Sequence, residues 1–166
     1  MVQLLNKQDY EYSFELLNPK QFEIWAKVDS MGRNIIYQDA EYKISIDSFE
    51  NPKYLKLYFN KKGRDLKVGE LICSDKYFNS TNGEKPVRYI SMKYVFVNDN
   101  HKGRGFSYRM VNSLLSVLND EIDGIITNFD NRNKNSSIVK MFSNLGAFKN
   151  GYGYLEIKNP KKNGFN

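Results

Sequence analysis

The chain has 166 residues, 40% of them apolar and 14% aromatic, with a formal net charge of +6. That is enough chain for one globular domain with its own core and too little for two. The single Cys73 excludes an intramolecular disulfide and a cysteine-based zinc site, so no metal centre is expected and a reducing, cytoplasmic setting follows. No stretch has the apolar length of a signal peptide or membrane span. The positive charge is scattered, which points to anionic partners such as a phosphorylated cofactor, an acidic protein surface or nucleic acid.

Taken in chain order, Tyr10, Tyr12, Phe14 and Leu16 alternate with Glu11, Ser13 and Glu15, the period of a half-buried strand. At Asn18-Pro19-Lys20-Gln21 two readings stand. Asn18 as N-cap with Pro19 in the first helical position would start a helix running through Trp25 to Met31 and stopped by Gly32. Alternatively Asn18-Pro19 is a hairpin turn, because Phe22, Ile24, Ala26 and Val28 alternate with Glu23, Trp25, Lys27 and Asp29. The alternation favours the hairpin. Arg33 to Gln38 and Tyr42 to Asp47 read as further short strands. Tyr54 to Asn60, the turn at Lys61-Lys62-Gly63-Arg64, and Leu66 to Ser74 form an antiparallel hairpin. A polar loop over 79–86 precedes a long strand, Val87 to Val97.

Across His101-Lys102-Gly103-Arg104-Gly105 the hydrophobic period changes. Before it lies the apolar run Tyr94-Val95-Phe96-Val97; after it Phe106, Met110, Leu114 and Leu118 recur every fourth residue, one face of a helix. Glycines at this joint allow close backbone approach, and the free N–H groups of the helix start suit an anion, phosphate above all. Beyond the helix, Ile122 to Asn128 reads as a strand in a right-handed parallel crossover. Ser136 to Asn144 then reads as a second helix with Ile138, Met141, Phe142 and Leu145 on its apolar face and Gly146 as its C-cap. Strands around Phe148 and over Tyr152 to Lys158 close the sheet, and 159–166 reads as a basic, solvated tail.

This order, with two local motifs, resembles the GNAT superfamily of N-acetyltransferases. Val97-Asn98-Asp99-Asn100-His101-Lys102-Gly103-Arg104-Gly105-Phe106-Ser107 looks like the family's acetyl-CoA loop, with Lys102 where Arg or Gln is usual and Ser107 in place of Gly or Ala. Asn135, the aromatic Phe142 and Gly146 keep the spacing of the family's second motif. The resemblance covers roughly 54–158. It implies a single GNAT-like domain over 1–158, in which 54–158 is the acetyl-CoA-binding core and 1–50 is an atypical, strand-rich beginning. The implied class is α/β (α+β), with a mixed, mostly antiparallel sheet, a splayed parallel strand pair, and helices on both faces.

The resemblance also implies the site. The pyrophosphate of acetyl-CoA would rest on the amides of Gly103 through Ser107, including Phe106, with Lys102 and Arg104 as cations. Pantetheine would run along Tyr94, Val95, Phe96 and Val97, and Asn135 would meet it from the loop before the second helix. Val97 or its neighbour would supply the oxyanion donor. Phe142 stands where the family's tyrosine acid is usual, and Glu70 is the nearest nominee for a base. His101 reads as a surface histidine and Cys73 as a small core residue. The implied function is acetyl-CoA-dependent acetylation of a primary amine, on a protein lysine or N-terminus or on a small molecule. The alternative is a GNAT-shaped protein without catalysis that binds nucleic acid or a partner protein through its basic surface.

Overall fold

The computed structural model describes residues 27–46, 52–79, 86–118, 120–132 and 134–163. The strand expected at Tyr10 to Leu16 and the two readings of Asn18-Pro19 fall outside these residues, apart from a two-residue strand, β1 (Lys27–Val28). The remaining strands are β2 (Asn34–Gln38), β3 (Tyr42–Ile46), β4 (Lys53–Lys61), β5 (Arg64–Phe78), β6 (Val87–Val97), β7 (Gly124–Asn128), β8 (Phe148–Lys149) and β9 (Tyr154–Lys158). Helix α1 spans Phe106–Val117 and α2 spans Ser137–Asn144. They build one sheet in the order β1-β2-β3-β4-β5-β6-β7-β9-β8. Every described pairing is antiparallel except β6 with β7.

Both described helices lie on the same face of the sheet, so helices on both faces are not found among the described residues. Met110, Val111 and Leu114 of α1 and Val139, Met141 and Phe142 of α2 join one core cluster with Ile90, Ile125 and Ile157. Those three strand residues form one cross-strand row. The reason is topological: β6–α1–β7 and β7–α2–β8 step across the sheet in the same direction, and right-handed crossovers in one direction put their helices on one side. Each fully buried Met or Leu of α1 contributes about 1.5–3 kcal/mol by leaving water.

Strand β6 carries a device that periodicity alone does not reveal. Ile72 faces Tyr94 but Cys73 faces Met92, so Lys93 is an extra, bulged residue. Upstream of the bulge, Ile90 and Met92 face the helices; downstream, Val95 and Val97 do. Tyr94 and Phe96 are thereby turned to the other face, where they stack at 6.4 Å and stay 47% and 41% exposed.

Just after β9, Asn159 and Lys161 are held against the domain. Asn159 is buried and donates its side-chain amide to the Ile122 carbonyl at 2.8 Å. Lys161 Nζ donates to the carbonyls of Ser116 (2.9 Å) and Leu118, capping the C-terminal end of α1 with a cation.

At the opposite end of the sheet, Arg33 bridges Asp29 (2.8 Å) and Asp65, and Lys43 Nζ lies 3.2 Å from Asp65. Burial acts to raise both carboxyls, but it is outweighed by the hydrogen bonds from Arg33 and the Met31 amide at Asp29, and by those from Arg33, Asn60 and Lys43 at Asp65, which together hold them below the usual carboxylate range. A depressed folded-state pKa stabilises above the unfolded value, near 4, and that stability is lost as pH falls through the folded value. Asp65→Asn is therefore expected to lower the urea midpoint at pH 6 and to show a smaller deficit at pH 3. An equal deficit at both pH values would remove the ion-pair account.

Candidate active site

The parallel ladder between β6 and β7 pairs Tyr89, Ile90 and Ser91 with Gly124, Ile125 and Ile126 and ends there, while β6 runs on to Val97. Thr127 Oγ1 donates to the Met92 carbonyl at 3.3 Å. Beyond it the β7-facing edge of β6 has no ladder partner among the described residues. The parted strands open into a cleft of about 530 Å³. Val95, Phe96 and Val97 line one wall, His101, Lys102, Gly103 and Gly105 the loop end, Phe106, Ser107 and Tyr108 the start of α1, and Ser137, Lys140 and Met141 the flank of α2.

Gly103 and Gly105 sit at φ 79° and 77° with nothing within 4 Å of where a Cβ would stand. Their identity is therefore dictated by backbone conformation and not by crowding. Gly105 is the N-cap of α1 and has no side chain with which to cap it. The first-turn N–H groups at Phe106, Ser107 and Tyr108 are thus available to the cleft, together with the positive end of the helix dipole.

Charge around this end is distributed differently from the sequence reading. Lys102 lines the cleft but pairs with Asp99 at 2.9 Å. Arg104 points away: its Nη1 donates to the Tyr42 hydroxyl at 2.8 Å, so it braces the loop from behind. The cation that periodicity did not single out is Lys140, which lines the cleft and forms no ion pair among the described residues.

His101, read as a surface histidine, is a structural part of the loop. Its Nδ1 lies 2.8 Å from the Tyr42 hydroxyl, and its ring packs 5.0 Å from that of Phe59. The Tyr42 hydroxyl thus ties the His101 ring and the Arg104 guanidinium together behind the loop. Tyr42 also packs 4.1 Å from Phe106. Arg109 extends the brace, donating to the Tyr37 hydroxyl at 3.0 Å, which in turn donates to Asp39 at 2.7 Å. The β2–β3 hairpin thus holds the glycine loop and the first turn of α1 from outside the cleft.

Three other sequence nominees lie away from this cleft, and a fourth, Val97, lines it only at the glycine-loop end. Phe142 is fully buried in the core. Glu70 pairs with Lys67 on β5. Asn135 is exposed in the turn before α2, whose N-cap is Ser136, accepting from Val139 N at 3.2 Å. Val97 stands at the foot of the glycine loop, four residues, about 13 Å, from the bulge at Lys93. Tyr108 was missed, because on a helical wheel it falls beside the apolar stripe. It lines the cleft, and its oxygen accepts from Asn144 Nδ2 at 2.9 Å, leaving the phenolic proton for another acceptor. Cys73 is fully enclosed, and burial pushes its thiol up to about 12, so it takes no part as a nucleophile. Among the described residues no cluster of His, Cys, Asp and Glu could hold a metal ion, and no helix is long and apolar enough to cross a membrane.

No protein-family model matches this chain, and no curated protein sequence matches it. Solved structures do. A mutant of the AtaT toxin, bound to the C-terminus of the antitoxin AtaR and acetyl-CoA, superposes with a TM-score of 0.51 at 14% identity, over 66% of this chain and 69% of that one. AtaTR bound with acetyl-CoA gives a TM-score of 0.51 at 12% identity, over 69% and 75%. The mutant toxin alone gives 0.51 at 12% identity, over 66% and 68%.

The chain has the GNAT fold.

At such identity the likeness is one of backbone, and it agrees with the features described above: the bulged strand, the parted parallel pair and the glycine loop feeding a helix. The described residues form a nine-stranded sheet, whose β2–β3 hairpin buttresses the loop.

Proposed function

We propose that this protein is an acetyl-CoA-dependent N-acetyltransferase acting on a primary amine. The observation that carries the reading is the cleft: parted parallel strands leading to two left-handed glycines at an uncapped helix start. That end suits a diphosphate on four counts, namely free amides, the dipole, open space where side chains would be, and Lys140, which has no ion pair among the described residues. AtaT, which shares the fold, holds acetyl-CoA in its solved structures. Acetyl-CoA supplies an activated acetyl thioester; the residues here orient it, hold developing charge and move a proton.

In this reading the amides of Gly103 through Ser107 and Lys140 hold the diphosphate, with Lys102 at the rim. The free edge of β6 guides the pantetheine amides toward the bulge. The oxyanion donor is then a main-chain N–H at the bulge end, near Lys93 to Val95, and Val97 serves the diphosphate end. When the acceptor nitrogen bonds to the acyl carbon and the C–S bond breaks, the sulfur needs a proton. Tyr108 is the phenol that can give it, in place of the buried Phe142, with Asn144 donating to the phenolate left behind. Among the described residues no carboxylate lines the cleft, so the amine must arrive neutral; the one proton its nitrogen gives up on forming the amide passes to water, which returns a proton to the Tyr108 phenolate.

Calorimetric titration with acetyl-CoA, run with an assay of thiol release against a panel of amines, tests the proposal. Binding together with amine-dependent thiol release is expected; an absence of binding overturns it. Tyr108→Phe should leave the acetyl-CoA affinity within about twofold and lower kcat by about 10²-fold, the ordinary scale of acid catalysis. An unchanged kcat would remove Tyr108 from the mechanism. The burial of Phe142 favours a second reading, a catalytically silent module on nucleic acid or a partner protein. Acetyl-CoA binding without thiol release for any amine, or binding to a polyanion that falls steeply with salt, would support it.

A further inference from the structure

On the face of the sheet opposite the helices, a second cavity of about 360 Å³ lies against β5 and β6, lined by Ser74, Asp75, Lys76, Ser91 and Lys93 among others. Along β6, Val95 lines the first cleft and Lys93, the bulged residue, lines this cavity, about 7 Å apart at the rise of a strand. A thioester lying along the free edge of β6 with its diphosphate at the glycine loop has its acyl end near the bulge.

The cavity's charges are unevenly matched. Asp75 is already engaged: Lys53 Nζ contacts both its oxygens at 2.7 Å, and its side chain is 3% exposed. Lys76 and Lys93 are not matched. Lys76 Nζ rests over the rings of Phe78 and Tyr154 at 5.7 and 5.4 Å, and neither lysine forms an ion pair among the described residues. Ser74 and Ser91 face each other across the ladder. Lys76 stands two residues to one side of that pair, opposite Tyr89, and Lys93 two residues to the other. Two ammonium groups therefore flank two hydroxyls, a donor set without a matching acceptor.

We infer that this cavity is the acceptor pocket and that it takes a small amine bearing a phosphate or carboxylate close to the nitrogen. The anion accepts from Ser74, Ser91 and the two lysines, and the amine is left at the Lys93 end, beside the acyl carbon. The ammonium of Lys93 there also disfavours a protonated amine, which is the unreactive form. A polyamine has no anion to offer and meets two cations. This inference rests on the acetyltransferase reading and narrows its substrate.

The test uses the full chain saturated with CoA and titrates O-phosphoethanolamine, β-alanine and ethanolamine as phosphate-bearing, carboxylate-bearing and anion-free amines. Partly screened ion pairs each change affinity by a few-fold, so at least one anionic amine should bind about tenfold more tightly than ethanolamine. Whichever binds better identifies the anion class. In Lys76→Gln/Lys93→Gln that ratio should fall toward one. Ethanolamine binding as well as both anionic probes, or a ratio that persists in the double variant, overturns the inference. Failure of CoA to bind the parent protein instead overturns the acetyltransferase reading, and the two failures are separate measurements.

Discussion

Gly105→Glu is expected to weaken acetyl-CoA binding by more than about 100-fold while the domain stays folded. Two effects separate cleanly at this position. The first is backbone strain: Gly105 sits at φ 77°, which costs a side chain about 1–2 kcal/mol. Nothing lies within 4 Å of the new Cβ, so no clash adds to it. The second is electrostatic. The carboxylate lands at the uncapped start of α1, where the helix dipole favours it and where the diphosphate would otherwise bind. The added anion both occupies the amides and repels the ligand. Gly105→Ala carries the strain without the charge, so it should lose a comparable amount of thermal stability and far less affinity. Titration of parent and both variants checks this. If Gly105→Glu binds acetyl-CoA as tightly as the parent, the diphosphate does not sit at this turn.

Replacing Lys53 by Met should cost about 3–5 kcal/mol of folding stability, well beyond the strain expected at Gly105. Lys53 is fully buried at the start of β4, and Asp75 across the sheet is almost as enclosed. Methionine keeps the stem's volume but leaves the buried carboxylate without its bidentate partner. An ion pair taken out of water is costly to form and more costly to break, so the asymmetry is testable. Lys53→Met/Asp75→Leu should recover most of what the single variant loses. Urea unfolding of the three proteins measures it. A loss under about 1 kcal/mol in the single variant would mean that water already reaches the pair. Asp75 also lines the proposed acceptor pocket, and on this account its role there is structural, held by Lys53 and not offered to the substrate.

Most of the fold was legible because its elements are local. The β4–β5 hairpin, the long β6, the i, i+4 stripe of α1 and the apolar face of α2 each follow from a periodicity of two or 3.6, and each is found within a few residues of its expected ends. The glycine loop was legible for the same reason, since a change of period across two glycines within three residues is a statement about neighbours in sequence. The misassignments were non-local. Arg104 and Lys102 look equivalent in the chain, yet only Lys102 lines the cleft, because Tyr42, 62 residues away, accepts the Arg104 guanidinium. Tyr94 and Phe96 read as buried strand, yet one bulged residue opposite β5 reverses the alternation and turns them out. Phe142 matched a motif by spacing and was taken into the core, while Tyr108, which no motif marks, was brought to the cleft by the packing of α1 against α2.

By itself, then, the sequence determined the elements, their order and the turn whose amides can receive an anion, because each depends on propensities and periods within about ten residues. Tertiary structure alone decided which face each β6 side chain takes, which cations border the cleft, and that two lysines without an ion pair among the described residues line a second cavity. Those outcomes depend on strand register and on hydrogen bonds between segments far apart in the chain, and one residue of slip inverts them without any change in local pattern.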